Sequence, residues 1–171
     1  ASAPWTAYYG NMPVSIDYPH KTMYQMIAAT AKKYPDHTAY IFMGKKTSYA
    51  AFQQRIDAAA KGLTAMGMDR RLDTLSGGKG DRVTICMANT PQAVDCFYAL
   101  NRIGAIPNMI HPLSASQEIA FYLNASHSKA ILTLDQFYWK VAEIVPELKE
   151  PCTILIAKIA DELPFPLSVA Y

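Results

Sequence analysis

The residues that first invite a chemical reading are Leu75–Gly80, LSGGKG, where glycines surround a lysine. A phosphate cradle of the GxxxxGK[ST] kind follows a strand and opens a helix, so that backbone N–H groups and the helix N-terminus meet the anion. Here Gly77, Gly78, Lys79 and Gly80 follow a helical pattern and precede the apolar run RVTICM, the reverse order. No serine or threonine follows Lys79 to hold magnesium, and the turn after RVTICM reads ANTP where a dinucleotide fingerprint needs GxGxxG. The loop is expected to be a surface connection, and Lys79 no phosphate-loop lysine.

His20, His37, His111 and His127 share no spacing with one another or with the cysteines that would gather a metal. Three cysteines without a CxxC argue against both a disulfide scaffold and a zinc site. Cys86 and Cys96 read as small buried apolar side chains in a reducing compartment. His111 stands apart by position: it follows the run AIPNMI, at the carboxyl end of a strand, where open α/β sheets bind ligands. The residues alone leave it open between a substrate contact and a loop histidine bonded to backbone. No GxSxG elbow and no acidic pair placed for acid–base work is present, so no residue is assigned a catalytic, cofactor-binding or metal-binding role.

The elements that must position these groups follow from periodicity. Residues 1–20, rich in proline and aromatics, are expected to form an extended arm, and residues 21–171 a single α/β subdomain. Thr22 caps a helix running to about Tyr34, and HTAYIFM and KKTSY flank a turn at Gly44 as a small hairpin. Ser48 caps a long helix with Phe52, Ile56, Ala59, Leu63 and Met66 on its apolar face and Gly67 after its last turn. RVTICM reads as a strand buried on both faces, followed by a helix capped by Thr90, started by Pro91, striped by Ala93, Phe97, Leu100 and Ile103, and ended by Gly104.

AIPNMI is a second strand, although Pro107 weakens it, and Ser114 with Gln117 predicts a capping box for a helix carrying Ile119 and Leu123. AILTL is a third strand. Asp135 is expected to cap a helix with Phe137, Val141, Ile144, Val145 and Leu148 on one face, kinked by Pro146, before a fourth strand, CTILIA. The end, DELPFPLSVAY, reads as irregular. Strands alternating with helices on short connections make βαβ units, so the sheet should be mostly parallel, flanked by helices and preceded by the small hairpin and the arm.

Composition narrows the function classes. The 171 residues are 51% hydrophobic and 18% charged, which excludes a disordered chain, and the low charge hints at surface normally covered by more protein. A net charge of +2, with scattered lysines and arginines, excludes a nucleic-acid stripe. No apolar run approaches the length of about 18 residues that a transmembrane helix needs, and ASAPWTAYYG lacks the features of a signal peptide. A cytoplasmic protein is the expectation.

TSYAAFQQRIDAAAKGLTAMGM, GDRVTICMANTPQAVDCFYALNRIGAIPNMIHPLSASQEIAFYLNAS and KAILTL together resemble the N-terminal part of AMP-forming acyl-CoA synthetases, within the adenylate-forming ligases. Ser48–Phe52 stands for the T-Y-x-E-L helix start of that family, Lys79–Val83 matches its K-G-D-R-V strand start, and Asn89–Gln92 stands for its N-x-x-E helix start. Arg102–Ala105 and Ile110–Ser114 stand for the crossing and the helix start that follow, with His111 where the family often has asparagine. The resemblance covers roughly residues 20–157; the segment 69–79 is longer than the usual connection and reads as an insertion.

What the resemblance implies is a ligase that converts a carboxylic or fatty acid, ATP and coenzyme A to acyl-CoA, AMP and pyrophosphate, with magnesium. The family's Ser/Thr/Gly-rich phosphate loop, ribose-binding aspartate, hinge and catalytic lysine have no counterpart in the chain, which resembles a piece ending before them. The resemblance therefore implies a scaffold, inactive and binding no cofactor by itself, whose partner is the remainder of its own polypeptide. It also leaves room for a homodimer. The alternative from the residues is a stand-alone α/β interaction module or pseudoenzyme.

Overall fold

The computed structural model describes residues 3–68 and 80–170. The segment 69–79, with most of the glycine–lysine loop, lies outside them.

The arm is not extended throughout. Pro4–Tyr8 winds into a 3-10 turn, because Pro4 presets the helical φ and the Ala3 carbonyl accepts from both the Thr6 N–H at 3.0 Å and the Thr6 hydroxyl at 2.7 Å. The residues from Asn11 to Lys21 are exposed and contain no helix or strand.

Helix α1 is Met23–Lys33, closed by a reciprocal box in which the Thr22 hydroxyl accepts from the Gln25 N–H and the Gln25 side chain accepts from the Thr22 N–H. Strands β1 (Thr38–Phe42) and β2 (Lys45–Ser48) pair antiparallel around Met43 and Gly44. Both turn residues have positive φ, 48° and 85°, the pair of left-handed conformations that a two-residue hairpin with native twist requires. Ser48 then caps α2 (Tyr49–Ala65). Phe52, Ile56, Ala60 and Leu63 are buried, whereas Met66 is 45% exposed, at odds with the expected stripe. It sits at the C-cap, where the chain turns away toward Gly67 (φ 84°).

A parallel sheet of four strands follows: β3 (Arg82–Cys86), β4 (Ile106–Ile110), β5 (Ser128–Leu134) and β6 (Thr153–Ala157), in the spatial order β4-β3-β5-β6. The fold is thus α/β, a small hairpin beside a parallel sheet with helices on both faces. Val83, Ile85, Ala130, Leu132 and Leu134 face α2 and α3 (Pro91–Ile103), while Cys86 and Ile131 face α4 (Ser116–Ser126) and α5 (Tyr138–Ile144). Burial on both sides explains the continuous apolar runs of β3 and β5. Thr84 is the fully buried polar residue of β3, and a small network satisfies it: its hydroxyl bonds to Ser128 Oγ at 2.7 Å and accepts from the Asn108 amide at 2.9 Å.

Pro107 is accommodated because β4 is, among the described residues, an edge strand. The Ile106 N–H donates inward to the Asp81 carbonyl at 2.8 Å, so alternation turns the Pro107 nitrogen toward the free side. Two glycines meet at the same corner. Gly104 ends α3 with φ 80°, and its carbonyl oxygen lies 2.5 Å from where a β-carbon on Gly80 (φ 86°) would sit.

Three expectations at helix ends are corrected. Helix α4 is capped at Ala115, not Ser114: Glu118 Oε2 accepts from the Ala115 N–H at 3.1 Å, and this carboxylate, one residue further on, takes the role assigned to Gln117. Asp135 does not cap α5; its carboxylate accepts from the adjacent Gln136 N–H within a 3-10 turn, Asp135–Phe137, that precedes the helix. Around Pro146 the helix gives way to a further 3-10 turn, Val145–Glu147. The C-terminal stretch, read as irregular, holds a 3-10 turn at Ile159–Glu162 and a short helix α6, Leu167–Ala170.

Candidate functional site

Alternating strands and helices fix where a ligand can sit. From β3 the chain crosses over α3 on one face to β4; from β5 it crosses over α5 on the other face to β6. The loops leaving the adjacent carboxyl ends of β3 and β5 therefore diverge, and a crevice opens at that switch point. It has a volume of about 400 Å³ and is lined by Met87, Ala88 and Asn89 after β3, His111, Pro112 and Leu113 after β4, and Phe137 after β5.

His111 thus stands on the crevice wall, at the end of β4. Its carbonyl accepts a long hydrogen bond from the Cys86 thiol at 3.9 Å, tying the ends of β3 and β4 together. Its ring accepts through Nδ1 from the Leu113 N–H at 3.2 Å. A neutral imidazole with Nδ1 so engaged carries its proton on Nε2 and can donate from there. The histidine is thus bonded to backbone, and it also lines the crevice. The crevice is otherwise apolar except for Asn89, the pattern of a site for a mostly apolar ligand with one or two polar groups to orient it. The sequence does not mark Met87, Asn89, Leu113 and Phe137 as site residues, although each lies just beyond a strand end.

Among the described residues no three His, Cys, Asp or Glu side chains gather to hold a metal ion. Nor is any helix among them long and apolar enough to cross a membrane. Burial raises the thiols of Cys86 and Cys152 to about 11 and that of Cys96 to about 12, so all three are neutral, poor nucleophiles at pH 7.

A second polar constellation lies on the α2–α3 side and was not legible from sequence. Arg55 on α2 donates through Nε to Asp95 Oδ2 on α3 at 2.6 Å, and through its second arm to Glu162 of the C-terminal 3-10 turn. Both carboxylates are more than nine-tenths buried. Burial, partly offset by Arg55, lifts the Asp95 carboxyl from 3.8 to about 6. Burial opposes the charge on Arg55 too, but the hydrogen bond to Glu162 and the charge of Asp95 outweigh it and hold the guanidinium above its ordinary value.

A pH dependence follows. With its native value raised, Asp95 binds more protons folded than unfolded, so its contribution to stability is complete below about pH 4 and is lost as pH rises through about 6. Urea midpoints of the wild-type chain should therefore fall relative to those of Asp95→Asn between about pH 4 and 6.5. A difference that stays flat across that interval would show that Asp95 titrates as it does in the unfolded chain.

The fold is a doubly wound α/β unit with a crevice at its switch point. The family model of the AMP-binding enzymes matches residues 27–168, and the chain belongs to that family. The long-chain-fatty-acid–CoA ligase of Bacillus subtilis is 31% identical over 169 residues, 98% of this chain and 28% of that one. The crotonobetaine/carnitine–CoA ligase of Salmonella typhimurium is 30% identical over 145 residues, 82% of this chain and 26% of that one. Among solved structures, a long-chain-fatty-acid–CoA ligase from Archaeoglobus fulgidus shares the fold, with a TM-score of 0.72 over 84% of this chain and 28% of that one, at 22% identity. The chain spans about a quarter of the length of the curated relatives it matches.

Proposed function

We propose that the chain is the N-terminal part of an AMP-forming acid–CoA ligase of the cytoplasm, joining a carboxylic or fatty acid to coenzyme A with conversion of ATP to AMP and pyrophosphate. The observation that carries this reading is the match of residues 27–168 to the AMP-binding enzymes, with relatives named as CoA ligases. Within such an enzyme, the crevice at the switch point is part of the wall around the acyl group, and His111 is a substrate-binding residue that donates from Nε2.

The crevice does not fit the nucleotide. Among the described residues its lining holds no lysine or arginine to face a triphosphate and no carboxylate to hold magnesium. ATP, magnesium and coenzyme A therefore belong to the full-length ligase and are held by residues other than those of the crevice. The 171-residue chain alone is a scaffold whose partner is the rest of the ligase polypeptide.

The expected result is twofold. The chain shows no exchange between ATP and labelled pyrophosphate with any acid in a panel of chain lengths, and exchange in a pure preparation would overturn the scaffold reading. Titration with dodecanoate shifts the His111 ring protons and the Leu113 methyls in NMR spectra. Silence at both residues would remove His111 from the substrate site.

A further inference from the structure

We propose that the groove between α2, α3 and the free edge of β6 is a docking site for an extended peptide strand carrying an arginine or lysine side chain. It shares no lining residue with the His111 crevice, and the proposal does not depend on the ligase reading.

The groove has a volume of about 410 Å³, with Leu63 and Met66 on one wall and Leu155 and Ile156 on another. Its polar end is what selects the occupant. Among the described residues, Asp95 Oδ1 and Gln92 Oε1 are both buried without a hydrogen-bond partner, and both residues line the groove. They lie three positions apart on α3 and so share a face. Both orphaned atoms are acceptors, so the missing group is a donor. Their neighbours' donors are committed elsewhere: Arg55 is held by Asp95 Oδ2 and Glu162, and the Gln92 amide donates to the Lys158 carbonyl at 2.8 Å.

Charge specifies the donor further. Asp95, Asp161 and Glu162 line the groove against one guanidinium, Arg55; three negative charges less one positive leave a local excess of two. A cation with several N–H groups on an apolar stem matches both the acceptors and the walls.

The strand form of the occupant comes from β6. Among the described residues β6 pairs only with β5, so its outer backbone groups are free, and Ile156 is 49% exposed. Leu155, Ile156 and Ala157 belong at once to this edge and to the groove wall. A strand added to β6 directs alternate side chains to the α2–α3 side and delivers one into the groove.

The test is a titration of the isotope-labelled 171-residue chain with a seven-residue peptide of alternating threonine and valine, arginine at its centre, followed by amide shifts. Saturable shifts confined to the second half of α2, the first half of α3 and β6 are expected. Replacing the central arginine by norleucine should weaken binding at least about tenfold, the loss of a charge-assisted contact. Gln92→Leu, which leaves the Arg55 cluster intact and whose folding is checked by circular dichroism, should also weaken it. Equal binding of the norleucine peptide, or no effect of Gln92→Leu, would overturn the cation site. Butylguanidinium binding as tightly as the peptide would overturn the strand. Absence of saturable shifts would overturn both.

Discussion

Gly80→Ala is expected to lower the unfolding free energy by about 2–4 kcal/mol, the sum of a left-handed backbone forced on a residue with a side chain and an overlap that must be relieved. The overlap is with backbone: the new methyl would lie 2.5 Å from the Gly104 carbonyl oxygen, at a φ of 86°. Neither partner can rotate away, because Gly104 is locked as the end of α3 and the next residue but one, Ile106, is bonded to the Asp81 carbonyl. Urea denaturation of the two chains measures the loss. Gly62→Ala is the control: it lies inside α2 with no described atom within 4 Å of its new methyl, and should stabilise by up to about 1 kcal/mol through helix propensity. Equal effects of the two substitutions would refute the close approach.

Removing Arg55 should be at least as damaging. Arg55→Met leaves the Asp95 and Glu162 carboxylates buried without their shared cation, and uncompensated buried charge costs about 3–5 kcal/mol. The loss should be largest at neutral pH and smaller near pH 5, where Asp95, already raised to about 6, takes up a proton. Replacing the whole cluster, Arg55→Met with Asp95→Leu and Glu162→Met, should recover most of the stability, since no charge is then stranded. If the triple variant is no more stable than Arg55→Met, the loss comes from packing and not from the stranded carboxylates.

Much of the architecture was legible in the sequence because local signals and burial agreed there. Thr22, Ser48, Thr90 and Gly104 each act as the cap their side chain or conformation predicts. The apolar runs of β3 and β5 are buried as continuous runs require. Errors gathered where two capping schemes compete over a few residues. At α4 the Glu118 carboxylate prevails over the Ser114–Gln117 pair, and after β5 Asp135 bonds its own neighbour and leaves the helix start to Tyr138. At the candidate site, His111 was visible from its place at a strand end. Its companions Met87, Asn89 and Phe137 come from loops up to fifty residues apart, joined only by strand order, which single-sequence periodicity does not carry. Arg55, Asp95 and Glu162 were invisible for the same reason: each reads as an ordinary surface charge until folding brings three separate elements together.

Pro107 has a meaning for how copies of the chain meet. Head-to-tail stacking of sheets into an open filament requires the β6 edge of one copy to pair with the β4 edge of the next. At the second position of that edge, the proline offers no outward hydrogen and its ring stands in the path of an incoming backbone. Edge pairing is then left to β6 against β6, a twofold contact that closes on itself after two molecules. The imino acid that weakens a strand in the sequence thereby denies the sheet a direction in which to polymerise.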